Sequence, residues 1–219
     1  MKAGFRDRVD AGRELAALLS KYAGRSDTLI LGLPRGGVPV AFQVAEALHL
    51  PLDVFIVRKL GVPGHEELAM GAIASGAVRV LNEEVIRHLG IPQTAIDMVS
   101  AYEAEEIARR ERAYRRDLPP PRIAGRTVIL VDDGLATGST MKAAVAALRK
   151  QGAARMVVAV PVAPESSCEE FRKLADEMVA VRRPRDFWAV SAWYEEFLQT
   201  SDDEVRDLLD AAMHEEAPR

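Results

Sequence analysis

The sequence predicts an α/β fold with a mainly parallel central sheet flanked by helices. Runs such as 128–131 (VILV), 156–160 (MVVAV) and 28–33 (TLILGL) are apolar almost throughout, without the alternation of a half-exposed strand, so each belongs in a sheet covered on both faces. Each run is followed by turn residues and then by an apolar pattern of helical period, and such alternation joins parallel strands through right-handed crossovers. Polar residues gather after the strands, at the carboxyl ends where open α/β sheets bind ligands. A chain of 219 residues, 48% hydrophobic and 28% charged, can bury roughly 70–75% of its unfolded surface as a single domain over 1–219.

In chain order, residues 7–22 place Leu15, Leu18, Leu19 and Tyr22 at helical spacing, with Asp7 or Asp10 as an N-terminal acid. The strand 28–33 ends in Pro34-Arg35-Gly36-Gly37 and leads into a helix over 38–48. A strand over 53–57 ends in Arg58-Lys59, and residues 60–67, rich in glycine and polar groups, read as a mobile loop before an apolar segment over 67–72. A helical insertion follows over 82–121. Asn82 starts a helix, Gly90-Ile91-Pro92 breaks it, and 93–116 forms a long charged helix with Glu105/Arg109, Glu106/Arg110 and Glu111/Arg115 four apart. That helix reads as a mostly solvated arm laced by ion pairs; a homodimer contact, or a nucleic-acid contact through Arg109, Arg110, Arg112, Arg115 and Arg116, stays open. Leu118-Pro119-Pro120-Pro121 is a stiff linker to the strand at 128. Met141, Ala144, Val145 and Leu148 mark the buried stripe of the next helix, which Gly152 ends. A strand over 156–160, a helix over 165–175, a short strand over 178–181 and a terminal helix over 202–213 complete the pattern.

Residues 128–141 (VILVDDGLATGSTM) carry the most chemistry. Asp132 and Asp133 stand at the end of a buried strand, and Ala136, Thr137, Gly138, Ser139 and Thr140 follow as small or hydroxylated residues opening a helix. Closely spaced N–H groups and the helix macrodipole favour an anion at that turn. A phosphate therefore fits beside two acids, and a sugar phosphate meets both demands, its hydroxyls donating to the carboxylates. Upstream, Gly36 and Gly37 allow a backbone approach that a Cβ would forbid, and Arg35 adds charge; a tight turn and a diphosphate cradle are both open readings of that loop.

The segment 128–141 resembles the phosphoribosyl-diphosphate (PRPP) binding motif of the type I phosphoribosyltransferases: apolar strand, acidic pair, two intervening residues, a small residue, then Thr-Gly-x-Thr. The segments 186–190 (DFWAV) and 193–197 (WYEEF) are also similar to a bacterial phosphoribosyltransferase-like subgroup of unassigned acceptor. The resemblance implies transfer of a phosphoribosyl group from PRPP to a nitrogenous base or other small-molecule nitrogen nucleophile, with release of diphosphate. It implies that Asp132 and Asp133 hold the ribose hydroxyls, that Ala136, Thr137, Gly138, Ser139 and Thr140 bind the 5′-phosphate, and that Pro34, Arg35, Gly36 and Gly37 bind the diphosphate around a non-proline cis peptide. Arg58 and Lys59 would stabilise the departing charge. Mg2+ is the implied cofactor, held chiefly by substrate oxygens with Asp133 as the better protein ligand. Residues 60–67 would form a lid, for which a surface loop is the equal alternative at His65, Glu66 and Glu67. A hood over 182–219 would select the acceptor, with Phe187 and Trp188, beside Trp193 and Tyr194, as a stacking wall or as packing anchors. Enzymes for 6-oxopurines commonly carry Asp where this chain has Ala136, which argues against those substrates and leaves the acceptor open.

The formal net charge of −4 argues against a general nucleic-acid surface. Competing readings are a PRPP-binding regulator that contacts nucleic acid through its arginine-rich helix, and a member that uses water or phosphate as acceptor. The lone Cys168 has no partner for a disulfide or zinc cluster and reads as a half-buried packing residue. No signal pattern or apolar stretch of membrane-spanning length is evident, so the expectation is a cytoplasmic protein with no membrane partner.

Overall fold

The computed structural model describes residues 4–116 and 118–215. The strands are β1 (Thr28–Gly32), β2 (Leu52–Val54), β3 (Val57–Val62), β4 (His65–Ala74), β5 (Val78–Leu81), β6 (Thr127–Val131), β7 (Arg155–Val162) and β8 (Glu177–Arg182). Five form a wholly parallel sheet in the order β2-β1-β6-β7-β8, and β3-β4-β5 form a separate antiparallel sheet. The helices are α1 (Arg8–Leu18), α2 (Gly37–Leu48), α3 (Glu83–Leu89), α4 (Gln93–Arg115), α5 (Ser139–Lys150), α6 (Glu165–Leu174) and α7 (Asp202–Glu215).

The apolar runs fill both faces of the parallel sheet, as two-sided burial requires. Ile30, Ile129 and Val157 meet Leu15, Tyr22, Val40 and Val44 on the side of α1 and α2. Leu29, Leu31, Val128 and Leu130 meet Met141, Val145, Leu148 and Phe171 on the side of α5 and α6. Cys168 is fully buried in this second layer rather than half-buried, and Leu18, expected in the α1 stripe, is half-exposed. Asp7 caps α1 by accepting the Asp10 N–H at 2.8 Å.

Two expectations are corrected here. Residues 60–67 form no mobile loop: Val62 pairs with His65 across Pro63-Gly64, so the segment is the tip of a β3–β4 hairpin. Proline followed by glycine at φ 78° is turn chemistry suited to that two-residue connection, and Leu60, Val62, Met70 and Ile73 bury the hairpin's inner face.

Nor is α4 a solvated arm. Ile96, Ile107 and Tyr114 lie on one stripe and pack against that hairpin face and against Val205 and Leu209 of α7. Arg109 turns to Glu106 rather than to Glu105, sharing that carboxylate with Arg110 at 2.7 Å each. Arg116 pairs with Asp210 at 2.6 Å. Arg115, only 7% exposed, is an internal tie. It holds Asp53 at 2.7 Å and Glu111 at 3.0 Å and donates to the Val54 carbonyl at 2.7 Å, fastening α4 to β2.

Truncating one partner of a buried ion pair leaves the other charge desolvated and unmatched. Arg115→Ala is therefore expected to lower stability by about 3–5 kcal/mol, and adding Asp53→Asn should restore part of that loss. Urea denaturation of both variants checks this; a loss below about 1 kcal/mol for the single variant would contradict the tie.

Candidate functional site

Parallel register assembles the site. Gly32 of β1 aligns with Val131 of β6, so the loops leaving those two strands start level and side by side. Leu33 donates to the Val131 carbonyl at 2.9 Å, extending the pairing by one residue before the loops turn. The Pro34–Arg35 peptide is cis, within the segment where the resemblance implied one. Gly36 and Gly37 then lie directly on the acidic pair. A Cβ on Gly37 would sit 2.8 Å from the Val131 carbonyl oxygen and 2.9 Å from Asp132 Cα, and one on Gly36 would fall 2.8 Å from Asp133 Cγ. Glycine at both positions is a steric requirement of the contact.

Beyond the acids, Gly138 takes φ 71° and caps α5 without a side-chain hydrogen bond. Its face is pressed on Phe171, where a Cβ would meet the ring at 2.6 Å. The Ser167 hydroxyl, from the first turn of α6, donates to the Ala136 carbonyl at 3.0 Å and pins the turn from below. Thr137, Ser139 and Thr140 stand around this helix start, with the hydroxyl oxygens of Thr137 and Ser139 3.4 Å apart. The arrangement suits a phosphate.

The acids are held by groups that no local pattern announces. Arg8, the first residue of α1, contacts Asp133 Oδ2 through Nε at 2.9 Å and Nη2 at 2.8 Å, and its Nη1 donates to the Leu198 carbonyl at 2.6 Å. Its guanidinium lies 4.0 Å from the centre of the Phe197 ring. The Tyr194 hydroxyl donates to the Asp133 carbonyl at 2.5 Å. The segment after β8 is fixed here by pairing with the N-terminal segment: Phe5 donates to the Trp193 carbonyl at 2.7 Å, Glu195 to that of Phe5 at 2.9 Å and Glu196 to that of Arg6 at 2.8 Å.

Desolvation, followed by the neighbouring Asp133 charge, pushes the Asp132 carboxyl well above the usual range. Desolvation also raises Asp133, opposed by Arg8. Burial raises the Tyr194 hydroxyl, which stays a donor. Asp132 Oδ1 accepts the Asp133 N–H at 2.9 Å. Among the described residues no group of three or more His, Cys, Asp or Glu side chains could hold a metal ion. An ion beside Asp132 and Asp133 would therefore take most of its ligands from substrate oxygens and water, as Mg2+ readily does.

The remaining predicted residues divide. Lys59 faces a cavity of about 720 Å³ between the hairpin and α5, which it shares with Ser139 and Thr140 of the phosphate turn. Its Nζ is 3.8 Å from Glu67 and the side chain is 48% exposed. Arg58 points the other way and pairs with Glu103 of α4 at 2.6 Å, so it is not gathered with the turn. Arg35 lines a second cavity of about 310 Å³ with Arg8, Gly36, Asp133 and residues 197–200. Phe187 packs with the Phe5–Tyr194 cluster. Trp188 is 93% exposed. Neither lines the cavity beside Asp133.

No helix among the described residues is long and apolar enough to cross a membrane. The phosphoribosyl transferase domain model matches residues 6–196. The chain is 48% identical over 208 residues to a Mycobacterium tuberculosis protein named "Putative phosphoribosyl transferase Rv0571c", covering 95% of this chain and 47% of that protein. It is 32% identical over 140 residues to the Bifunctional protein PyrR of Corynebacterium glutamicum, covering 64% of this chain and 53% of that protein. The chain thus spans about half the length of the curated relatives it matches. The crystal structure of TT1426 from Thermus thermophilus superposes with a TM-score of 0.83 at 42% identity, covering 94% of this chain and 97% of that one. With a family model spanning both loops and the acidic pair, the chain belongs to the phosphoribosyl transferase domain family.

Proposed function

We propose that this chain transfers a phosphoribosyl group from PRPP to a nitrogen nucleophile and releases diphosphate. The observation that carries the reading is the contact of Gly36 and Gly37 with Asp132 and Asp133, one turn from the open start of α5. Diphosphate-binding amides, ribose-binding carboxylates and a phosphate-binding turn then lie in the order in which PRPP presents its groups.

In this reading Asp132 and Asp133 accept from the ribose hydroxyls, and Ala136, Thr137, Gly138, Ser139 and Thr140 take the 5′-phosphate. Pro34, Arg35, Gly36 and Gly37 take the diphosphate. Mg2+ would be shared between substrate oxygens and Asp133, supplying positive charge to the leaving diphosphate. Asp133 suits this role in part, because Arg8 engages Oδ2 and leaves Oδ1 available. Lys59, half-exposed and held only by Glu67 at 3.8 Å, is the freer cation for the leaving charge, whereas Arg58 would first have to leave Glu103. No side chain need bond to the sugar; orientation and electrostatic stabilisation of an oxocarbenium-like transition state supply the acceleration.

The arginine-rich helix lends the nucleic-acid alternative little: Arg115 is buried, and Arg109, Arg110 and Arg116 are each engaged by carboxylates of this chain, which leaves Arg112 as the exposed arginine of the five outside these ion pairs.

Asp132→Asn should weaken PRPP binding by about 10- to 100-fold in calorimetry, since it loses a charge-assisted acceptor. The same change should raise the melting temperature of the ligand-free protein at pH 7 by about 2–4 °C, because it removes a desolvated charge while an amide oxygen can still accept the Asp133 N–H. A raised carboxyl pKa makes the wild-type protein lose stability as pH climbs from the unfolded value of about 3.9 through the folded one, so the gain should vanish below about pH 4. Undiminished PRPP binding by this variant would sink the ribose role.

Lys59→Ala should lower turnover about 10- to 100-fold while changing PRPP affinity less than about threefold, as expected of a charge that matters most when diphosphate departs. Steady-state diphosphate release and calorimetry separate the two effects; equal losses in both would assign Lys59 to ground-state binding.

A further inference from the structure

We infer that Arg8 is a positioning residue for the transfer: it grips Asp133 by Oδ2 and leaves Oδ1 alone to the substrate, and it is the resident cation of the acidic pair, so that a divalent ion enters only together with PRPP. This rests on the phosphoribosyl-transfer reading and assigns part of that site's machinery to a helix outside its two loops.

Helix electrostatics do not account for Arg8. It is the first residue of α1, where the macrodipole favours an anion and where Asp7 and Asp10 already stand. Its side chain is nonetheless only 12% exposed and lies against Asp133, itself 16% exposed. A guanidinium drawn out of water at that end of a helix is compensated by the carboxylate it meets.

The fork is held before any substrate arrives. The Phe197 ring covers one face of the guanidinium at 4.0 Å, and the Leu198 carbonyl accepts from Nη1 at 2.6 Å. The helix beneath it is equally fixed: α1 is pressed on α2 so closely that a Cβ on Gly12 would meet that of Gln43 at 2.7 Å. Little side-chain freedom remains to be lost when Asp133 is put to use, which is what a positioning group requires.

The grip is also one-sided. Nε and Nη2 both reach Oδ2, at 2.9 and 2.8 Å. Gly36 closes another flank of the same oxygen, since a Cβ there would overlap it and would lie 3.2 Å from Arg8 Nη2. A hydrated divalent ion, which takes oxygen ligands at about 2.0–2.1 Å and keeps several waters, has no room on Oδ2. Asp132 gives up part of its own capacity, because Oδ1 accepts the Asp133 N–H at 2.9 Å. Two carboxylates so engaged, with a guanidinium beside them, hold a divalent ion weakly until PRPP adds its oxygens. The role of Arg8 therefore has two separable parts. Its charge keeps the empty pair free of metal, which any cation in that place would do. Its planar fork orients Asp133, which a point charge would not.

The test uses the whole chain and two probes: Mn2+ alone, followed by the paramagnetic resonance of the free ion, and PRPP with Mg2+, followed by calorimetry. Without PRPP the wild-type protein is expected to bind Mn2+ with a Kd no tighter than about 1 mM. Arg8→Gln should tighten Mn2+ binding about tenfold and weaken PRPP binding about 10- to 100-fold, the scale of a lost charge-assisted pair. Adding Asp133→Asn to Arg8→Gln should abolish the new Mn2+ binding, which places it on that carboxylate. Arg8→Lys should exclude Mn2+ as the wild type does while recovering only part of the PRPP affinity, a division that loss of packing alone would not produce. If the Arg8 variants fail to fold, Phe197→Leu, which frees the guanidinium but keeps its charge, should weaken PRPP binding about 3- to 10-fold with Mn2+ still excluded. Wild-type protein that binds Mn2+ as tightly as Arg8→Gln, or PRPP affinity unaltered in a folded Arg8→Gln or Phe197→Leu protein, would overturn the inference. Those results leave PRPP binding by the wild type intact and remove this inference only, whereas absence of PRPP binding by the wild type removes the transferase reading beneath it.

Discussion

The level start of two loops, set by the pairing of Gly32 with Val131, is the constraint on which the rest of the site depends. Parallel neighbours with one register release their chains at the same height, and here both chains turn toward each other. Contact follows only because Gly36 and Gly37 carry no side chain at the point of approach. A one-residue slip between β1 and β6 would reverse the faces of Leu29, Ile30 and Leu31, exchanging the residues packed under α5 with those packed under α2. The hydrophobic core thereby fixes the geometry of the polar site.

Electrostatics set the cost of that geometry. Adjacent carboxylates at the end of a covered strand are desolvated and repel one another, so Asp132 and Asp133 are both displaced toward their protonated forms. The protein relieves them unequally. Arg8 binds the Asp133 carboxylate directly, while Asp132 has only the Asp133 N–H and the more distant Arg8 charge. A hydroxyl-rich, cation-bearing ligand would supply what is missing, and under the proposed function the site's instability when empty becomes binding energy when filled.

Legibility in the sequence followed the range of the interactions. Asp132-Asp133, the Thr137–Thr140 stretch and Gly36-Gly37 are local patterns, each placed by the strand before it and the helix after it, and the structure joins them as the order of elements implies. The stripe of α5 and the two-faced strands are equally local, because burial repeats at the period of the element. Failures came where a partner distant in sequence decided the outcome. The hairpin tip at Pro63-Gly64 has turn chemistry, yet its strands exist because Leu60 and Met70 find α4. The helix α4 looks solvated because its charges dominate composition, whereas its packing rests on a few positions, Ile96, Ile107 and Tyr114, and on an arginine, Arg115, that is buried by its carboxylate partners.

Arg8 illustrates the limit of local reading. Nothing distinguishes it from Arg6 or Arg13 in the sequence, since all three lie in or just before the same helix. Its role arises from a pairing of chain ends: the bonds from Phe5 to Trp193 and from Glu195 to Phe5 bring residues 194–198 over β6, and only then do Asp133, Phe197 and the Leu198 carbonyl surround one guanidinium. The covering element is thus not the segment after β8 alone but that segment stitched to the start of α1. Because the stitch is backbone hydrogen bonding with Phe5 and Tyr194 buried behind it, 5.5 Å between ring centres, side chains on its outer surface such as Trp188 are released from any packing duty. The inner surface is the polar one, where Arg8 and residues 197–200 line a single cavity with Asp133.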